Sequence, residues 1–187
     1  MKKTCAAFIF EGFIDHQVAL VLACLGRSGD YALETFSAKG STATAASGLR
    51  VMPHASLSLM SPEDFDVLML PGGIQWEKGD NLDVFPLITA VAGRKPLIAV
   101  GEAVLALADL GLLDDIPHTG NDPAYIQQLC PDYKGHAFYR HEPLVAAGPI
   151  ITVGGTALDP HGDGILGLFN TLQGKYAPTH EFFDQEQ

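Results

Sequence analysis

Three observations predict an α/β fold with a mostly parallel central sheet and helices on both faces, a three-layer sandwich. Short apolar runs at residues 5–10, 66–70 and 96–100 are continuous rather than alternating, as in strands buried on both faces. Between them stand stretches of helical spacing, such as Ile14, Val18, Leu22 and Leu25, and later Val104, Leu105, Leu107, Ala108 and Leu112. The joining turns are short and rich in glycine, which suits strand–helix–strand units rather than antiparallel hairpins. The 187 residues fit one domain, 1–187, and 47% apolar residues supply a sizeable core.

Each element follows from local pattern. The first strand, 5–10, is broken at Gly12, and the first helix runs through Leu25 to a turn at Gly26-Arg27-Ser28-Gly29-Asp30. Residues 31–37 alternate as a second strand, and 39–48 form a loop or hairpin of small residues. Residues 51–59 are extended, with Pro53, which lacks an N–H, marking an edge position. Ser61-Pro62-Glu63-Asp64 starts a short helix with a serine cap and proline at its first position. The strand at 66–70 runs into Pro71-Gly72-Gly73, and a helix spans Asn81 to about Ala92. After the strand at 96–100 come Gly101 and Glu102, then a helix that Gly111 terminates. Residues 114–121 are a loop, Asp122-Pro123 caps a helix through Leu129, and Pro131 stops it. Strands are expected at 137–140 and 150–153 with a turn at Gly148-Pro149. A helix is then expected at 165–172, and Phe182 and Phe183 are placed to pack a short terminal helix.

Charge and composition exclude several classes. A formal net charge of −11 argues against nucleic acid and disfavours anionic membrane surfaces. No apolar run is long enough to span a bilayer. The opening Met1-Lys2-Lys3 and the apolar residues after it do not read as a secretion signal, because Glu11 and Asp15 interrupt them and no cleavage site follows. Three cysteines (Cys5, Cys24, Cys130) without metal-ligand spacing fit packing residues in a reducing cytoplasm. His16, His54, His136, His141, His161 and His180 show no ligand spacing either, so neither metal nor cofactor is expected.

In an open parallel sheet, ligands bind outside the carboxyl ends of the strands. Three unusual turns should share that edge: Glu11-Gly12, Pro71-Gly72-Gly73 and Gly101-Glu102. The last is a sharp strand-to-helix turn of the kind that mounts a nucleophile, yet its tip has no side chain. Glycine there predicts a positive φ, the conformation it adopts at least cost.

The order Phe-x-Glu-Gly-Phe, Leu-Pro-Gly-Gly, then strand, elbow and Ala-Leu-Ala-x-x-Gly-Leu-Leu resembles the ThiJ/PfpI superfamily, of the flavodoxin-like, class I glutamine amidotransferase-like fold. The resemblance extends through His118-Thr-Gly-Asn-Asp122 and Ile151-Thr-Val-Gly-Gly-Thr-Ala157, and covers nearly the whole chain. It implies an elbow cysteine, which falls on Gly101, and a glutamate partner on the first helix, which falls on Gln17. The histidine that many members carry after the elbow helix falls near Asn121, with His118 close by. Nucleophile and acidic partner are therefore both replaced. The resemblance further implies a homodimer and an oxyanion-binding role for the N–H groups of Gly72 and Gly73, which are also readable as a tight turn.

The remaining candidates each have a structural reading beside the functional one. Glu102 is either an acid/base group or a carboxylate stabilised at a helix start by about 0.3–1 kcal/mol. Glu11 and Asp15 are pocket carboxylates, or a loop acid and a capping acid. Trp76 is a pocket wall, a dimer contact or core, and His118 and Asn121 are ligand contacts or loop residues. Two functions result. One is a non-catalytic protein that binds an unidentified small molecule. The other is a cysteine-independent hydrolase or hydratase for a small carbonyl or nitrile-like compound, with Glu102 as acid/base.

Overall fold

The computed structural model of the chain describes residues 2–27 and 29–155. The expected helix at 165–172, the terminal packing of Phe182 and Phe183, and His161 and His180 lie outside the described residues, as does the side chain of Cys24. In chain order the elements are β1 (Lys3–Phe8), α1 (Asp15–Arg27), β2 (Tyr31–Ser37), β3 (Ala43–Thr44), β4 (Arg50–Val51), β5 (Ala55–Ser56) and β6 (Val67–Leu70). There follow α2 (Gln75–Lys78), α3 (Phe85–Val91), β7 (Leu97–Val100), α4 (Val104–Asp109), α5 (Pro123–Leu129), β8 (Leu144–Ala147) and β9 (Ile150–Val153).

Seven strands form one sheet in the order β5-β2-β1-β6-β7-β9-β8, in which every pairing is parallel except β8 with β9. The expected α/β sandwich with a mostly parallel sheet is therefore the observed one. The inner strands β6, β7 and β9 are buried along their whole length, which explains their unbroken apolar sequences. Phe8, Phe36, Leu68, Met69 and Ile98 fill the core around them, each at most 1% exposed. Covering these side chains on both faces is the dominant stabilising term, at about 25 cal/mol per Å² of apolar surface removed from water.

Local signals behave as their chemistry requires. Gly111 takes φ +68° and ends α4, with Leu112 N–H reaching back to the Leu107 carbonyl. The Asp122 carboxylate accepts hydrogen bonds from the N–H groups of Ala124 and Tyr125 and so caps α5. The small residues after Lys39 form the β3–β4 hairpin, and β5, beyond Pro53, is an edge strand; the extended stretch expected at 51–59 is otherwise corrected, because Leu57–Leu59 make a tight helical turn.

One strand expectation is corrected. Residues 137–140 do not form a strand: 135–138 make a single tight helical turn, and only Tyr139 pairs, through an isolated bridge to His118. The antiparallel strand lies instead at Leu144–Ala147. It is short and half-exposed, so neither continuity nor alternation of apolar residues marks it in the sequence.

The same turn builds a closed box around His118, which is 0% exposed. Its ring meets Tyr133 and Tyr139 edge-on, with centroids 5.6 and 5.8 Å away. Nδ1 lies 2.8 Å from the Ile116 carbonyl, which can only accept, so Nδ1 carries the proton and Nε2 accepts from the Tyr133 hydroxyl at 2.5 Å. Burial holds the His118 pKa below its ordinary value, against an opposing pull from the Ile116 carbonyl. The unfolded chain therefore takes up a proton at His118 near pH 6.5 that the folded chain refuses, and stability present above that pH is lost as pH falls through it. Urea midpoints should drop between about pH 7.5 and 5.5, as expected from such linkage (~1 group). Replacing His118 with Gln should flatten that segment of the profile; an unchanged slope would show that other groups set it.

Candidate functional site

Because β1, β6 and β7 are adjacent and parallel, their carboxyl ends bring the three glycine turns together. Ile14 N–H donates to the Gly72 carbonyl at 3.0 Å, tying the start of α1 to the turn after β6. Gly101, directly after β7, has φ +57°, the positive value expected from the sequence. A Cβ built on it would stand 3.2 Å from Gly155 Cα, 3.6 Å from Gln17 Nε2 and 3.7 Å from Asn121 Oδ1. A side chain at the elbow would thus meet residues from three separate parts of the chain.

Those residues form a closed circuit of hydrogen bonds around Gly101. Gly72 N–H donates to Gln17 Oε1 at 2.7 Å, and Gln17 Nε2 donates to the Gly155 carbonyl at 3.4 Å. Gly155 N–H donates to Asn121 Oδ1 at 3.1 Å, and Asn121 Nδ2 donates to Glu102 Oε1 at 2.9 Å. Gly73 N–H donates to Glu102 Oε2 at 3.0 Å, which returns the circuit to the turn where it began. Gln17 is 0% exposed, whereas Glu102 is half-buried.

Sterics enforce the closeness. A Cβ at Gly72 would run into the Glu102 carboxylate, and one at Gly73, where φ is +154°, would come within 2.8 Å of the Phe10 ring. The loop that carries Asn121 is anchored independently. Thr119 N–H donates to Thr152 Oγ1 on β9 at 2.8 Å, and Thr119 Oγ1 donates to the Glu142 carbonyl at 2.7 Å.

The circuit has a chemical consequence. A carbonyl oxygen approaching the paired N–H groups of Gly72 and Gly73 finds them already donating, one to an amide and one to a carboxylate. Hydrogen bonds to a charged acceptor contribute about 1.5–3 kcal/mol each, so a neutral carbonyl displaces Glu102 at a loss. Both Glu102 oxygens are likewise engaged.

Several sequence candidates are placed elsewhere. Glu11 is exposed and accepts from Thr44 N–H at 2.9 Å, which pins the β3–β4 hairpin beside the strand ends. Asp15 accepts from the Ser47 hydroxyl at 2.6 Å on the same hairpin, and that bond lowers its pKa. Trp76 is buried in the core and also borders the cleft beside α2, α4 and α5. It packs edge-on against Phe8 and Phe10, and its Nε1 donates to the Pro71 carbonyl at 2.8 Å, fixing the glycine turn from behind. His118, expected at the pocket, points into its tyrosine box instead, because both ring nitrogens are satisfied there.

Gly155, both of whose backbone groups close the circuit, carries no local sequence signal for that role. Neither does the bridge from Tyr125 Oη to Glu77 Oε1 at 2.7 Å, which joins α5 to α2; burial first, and then Glu77, raise the Tyr125 pKa. Neither described thiol substitutes for an elbow nucleophile. Burial pushes Cys5 up to about 12 and Cys130 up to about 11, and Cys130 Sγ donates to the Leu105 carbonyl. Among the described residues no group of three or more His, Cys, Asp or Glu side chains is arranged to hold a metal ion, and no helix is long and apolar enough to cross a membrane.

Comparison with known proteins matches this architecture. The chain superposes on the DJ-1 superfamily protein Atu0886 from Agrobacterium tumefaciens with a TM-score of 0.84 and 29% identity, over 97% of this chain and 95% of that one. It superposes on the thiJ/pfpI family protein from Bacillus anthracis at 0.78 with 27% identity, over 92% and 91%. The "Uncharacterized protease YoaZ" of Bacillus subtilis is 33% identical over 61% of this chain, and the match spans only 55% of that protein's length. The sequence profile of the DJ-1/PfpI family matches residues 3–159, and the chain belongs to that family.

Proposed function

We propose that this chain is a DJ-1/PfpI protein that has given up cysteine chemistry and serves as a non-catalytic, small-molecule-binding member. The observation that carries the reading is the double occupancy of the glycine turn: Gly72 N–H is held by Gln17 and Gly73 N–H by Glu102, around an elbow whose tip, Gly101, has no side chain. An acyl-transfer site needs a nucleophile and free donors for the oxyanion, and this one offers neither. "Protease", the word in the name of the Bacillus subtilis relative, is therefore not carried over to this chain. The proposal includes a homodimer and a cytoplasmic setting, the former from the family resemblance and the latter from the cysteine usage.

A second reading is favoured by one feature, the partial exposure of the Glu102 carboxylate at the elbow. It makes Glu102 the acid/base of a hydrolase or hydratase for a small carbonyl or nitrile-like compound. The two readings separate in a turnover screen of small amides, aldehydes, esters and nitriles with the wild-type chain and Glu102→Gln. The first expects no turnover by either; activity present in the wild type and lost in Glu102→Gln would establish the second instead.

The circuit itself is testable by stability. Gln17→Ala leaves the buried Gly72 N–H unpaired and should cost about 1–3 kcal/mol in urea unfolding. A loss of a few tenths would show that the amide contributes no net hydrogen bond.

The elbow geometry is testable by thiol chemistry. Gly101→Cys places a thiol in a positive-φ turn at a strain of about 1–2 kcal/mol. Mapping of peptides labelled with iodoacetamide under native conditions should find the introduced elbow thiol modified well before Cys5 or Cys130. Equal protection of all three would show the elbow to be closed even to a small electrophile.

A further inference from the structure

Among the described residues, two buried side-chain atoms lack a hydrogen-bond partner: Gln75 Oε1 and Asn81 Nδ2. Both residues line one cleft, of about 490 Å³, at the carboxyl ends of β1 and β2, and Asn81 also borders a second, of about 220 Å³, beside α2, α4 and α5. Chance does not readily leave both unsatisfied polar atoms of a core on one cleft, because buried polar groups are almost always paired. Asn81 makes the case sharper. It stands at the cap position of the turn over Leu82–Val84, where an asparagine side chain ordinarily accepts a backbone N–H, yet it makes no such bond and is 5% exposed. Its amide is held in the interior without a local duty.

The cleft lies apart from the Gly101 circuit. The chain adds β2 and β5 on one side of β1, then β6 and β7 on the other, so β1 sits at the reversal of strand order where open α/β sheets bind ligands. The volume is in the range of small-molecule pockets, about 300–1,000 Å³. Phe10 contributes apolar wall, and the charged groups on the lining are Glu11, Asp80 and Asp83 against Lys39, a formal balance of −2 that disfavours anions.

The two orphaned atoms are complementary in kind: an amide oxygen that needs a donor and an amide nitrogen that needs an acceptor. We infer that this cleft binds a small uncharged molecule through a primary carboxamide or urea-type group, its N–H on Gln75 Oε1 and its carbonyl on Asn81 Nδ2, with an apolar portion against Phe10. Terminal amide torsions are broad, so a small rotation of either side chain turns its free atom toward the ligand. The inference is independent of the function proposed for the elbow.

The test is a titration of the full chain with propionamide into the millimolar range, read by nitrogen-15 NMR at the side-chain NH₂ signals of Gln75 and Asn81. Propionate and N,N-dimethylpropionamide are the controls, one adding charge and the other removing the donor. Propionamide should shift both signals saturably, and both controls should bind about tenfold or more weakly, the scale of one lost hydrogen bond. Asn81→Asp, which keeps the shape but removes the donor, should weaken propionamide by a similar factor while leaving the spectrum folded. No saturable shift, equal binding of all three compounds, or unaltered binding by the folded Asn81→Asp protein would overturn the inference and assign the two atoms to internal water. Should Asn81→Asp fail to fold, Gln75→Leu, at a partly exposed position, gives the same comparison from the other side of the cleft.

Discussion

The side chain of Gln17 holds this edge of the molecule together. Its oxygen takes the Gly72 N–H and its nitrogen reaches the Gly155 carbonyl, so one amide on the first helix ties the turn after β6 to the residues following β9. An amide can do both because it carries an acceptor and donors on one planar group. A carboxylate at the same place would have no proton to give to the Gly155 carbonyl unless it were protonated. Gln17 therefore completes a circuit that an ionised acid would break.

The circuit surrounds Gly101, where a built Cβ would stand 3.6 Å from Gln17 Nε2. A Cβ at the elbow would be tight only against Gly155 Cα, at 3.2 Å, and in ordinary contact with Gln17 Nε2 and Asn121 Oδ1. Glu102 completes the closure by drawing the Gly73 N–H and the Asn121 amide onto one carboxylate. The backbone donors of the glycine turn are engaged in internal hydrogen bonds. Trp76, packed behind Pro71, and Thr119, bonded to β9, fix the two sides of the circuit to the sheet.

Much of this was legible in the residues alone. Continuous apolar runs marked the inner strands, glycine and proline marked the turns, and the absence of a side chain between β7 and α4 required the positive φ that Gly101 adopts. The resemblance also pointed to positions 17 and 101 as those to inspect together. Where local pattern was weak, the reading missed β8, which is short and half-exposed, and no spacing showed that the ring of the loop residue His118 fills a tyrosine box.

What the sequence by itself determined, then, was the inner strands with their helices, the three turns at one sheet edge, and the glycine at the elbow. Only the tertiary structure decided which groups the donors of those turns would find. The partners are 55 residues apart for Gly72 and Gln17, 29 for Gly73 and Glu102, and 138 for Gln17 and Gly155. Hydrogen bonding demands alignment within a few tenths of an ångström, and over such separations that alignment is set by how helices pack on the sheet, which no local spacing encodes.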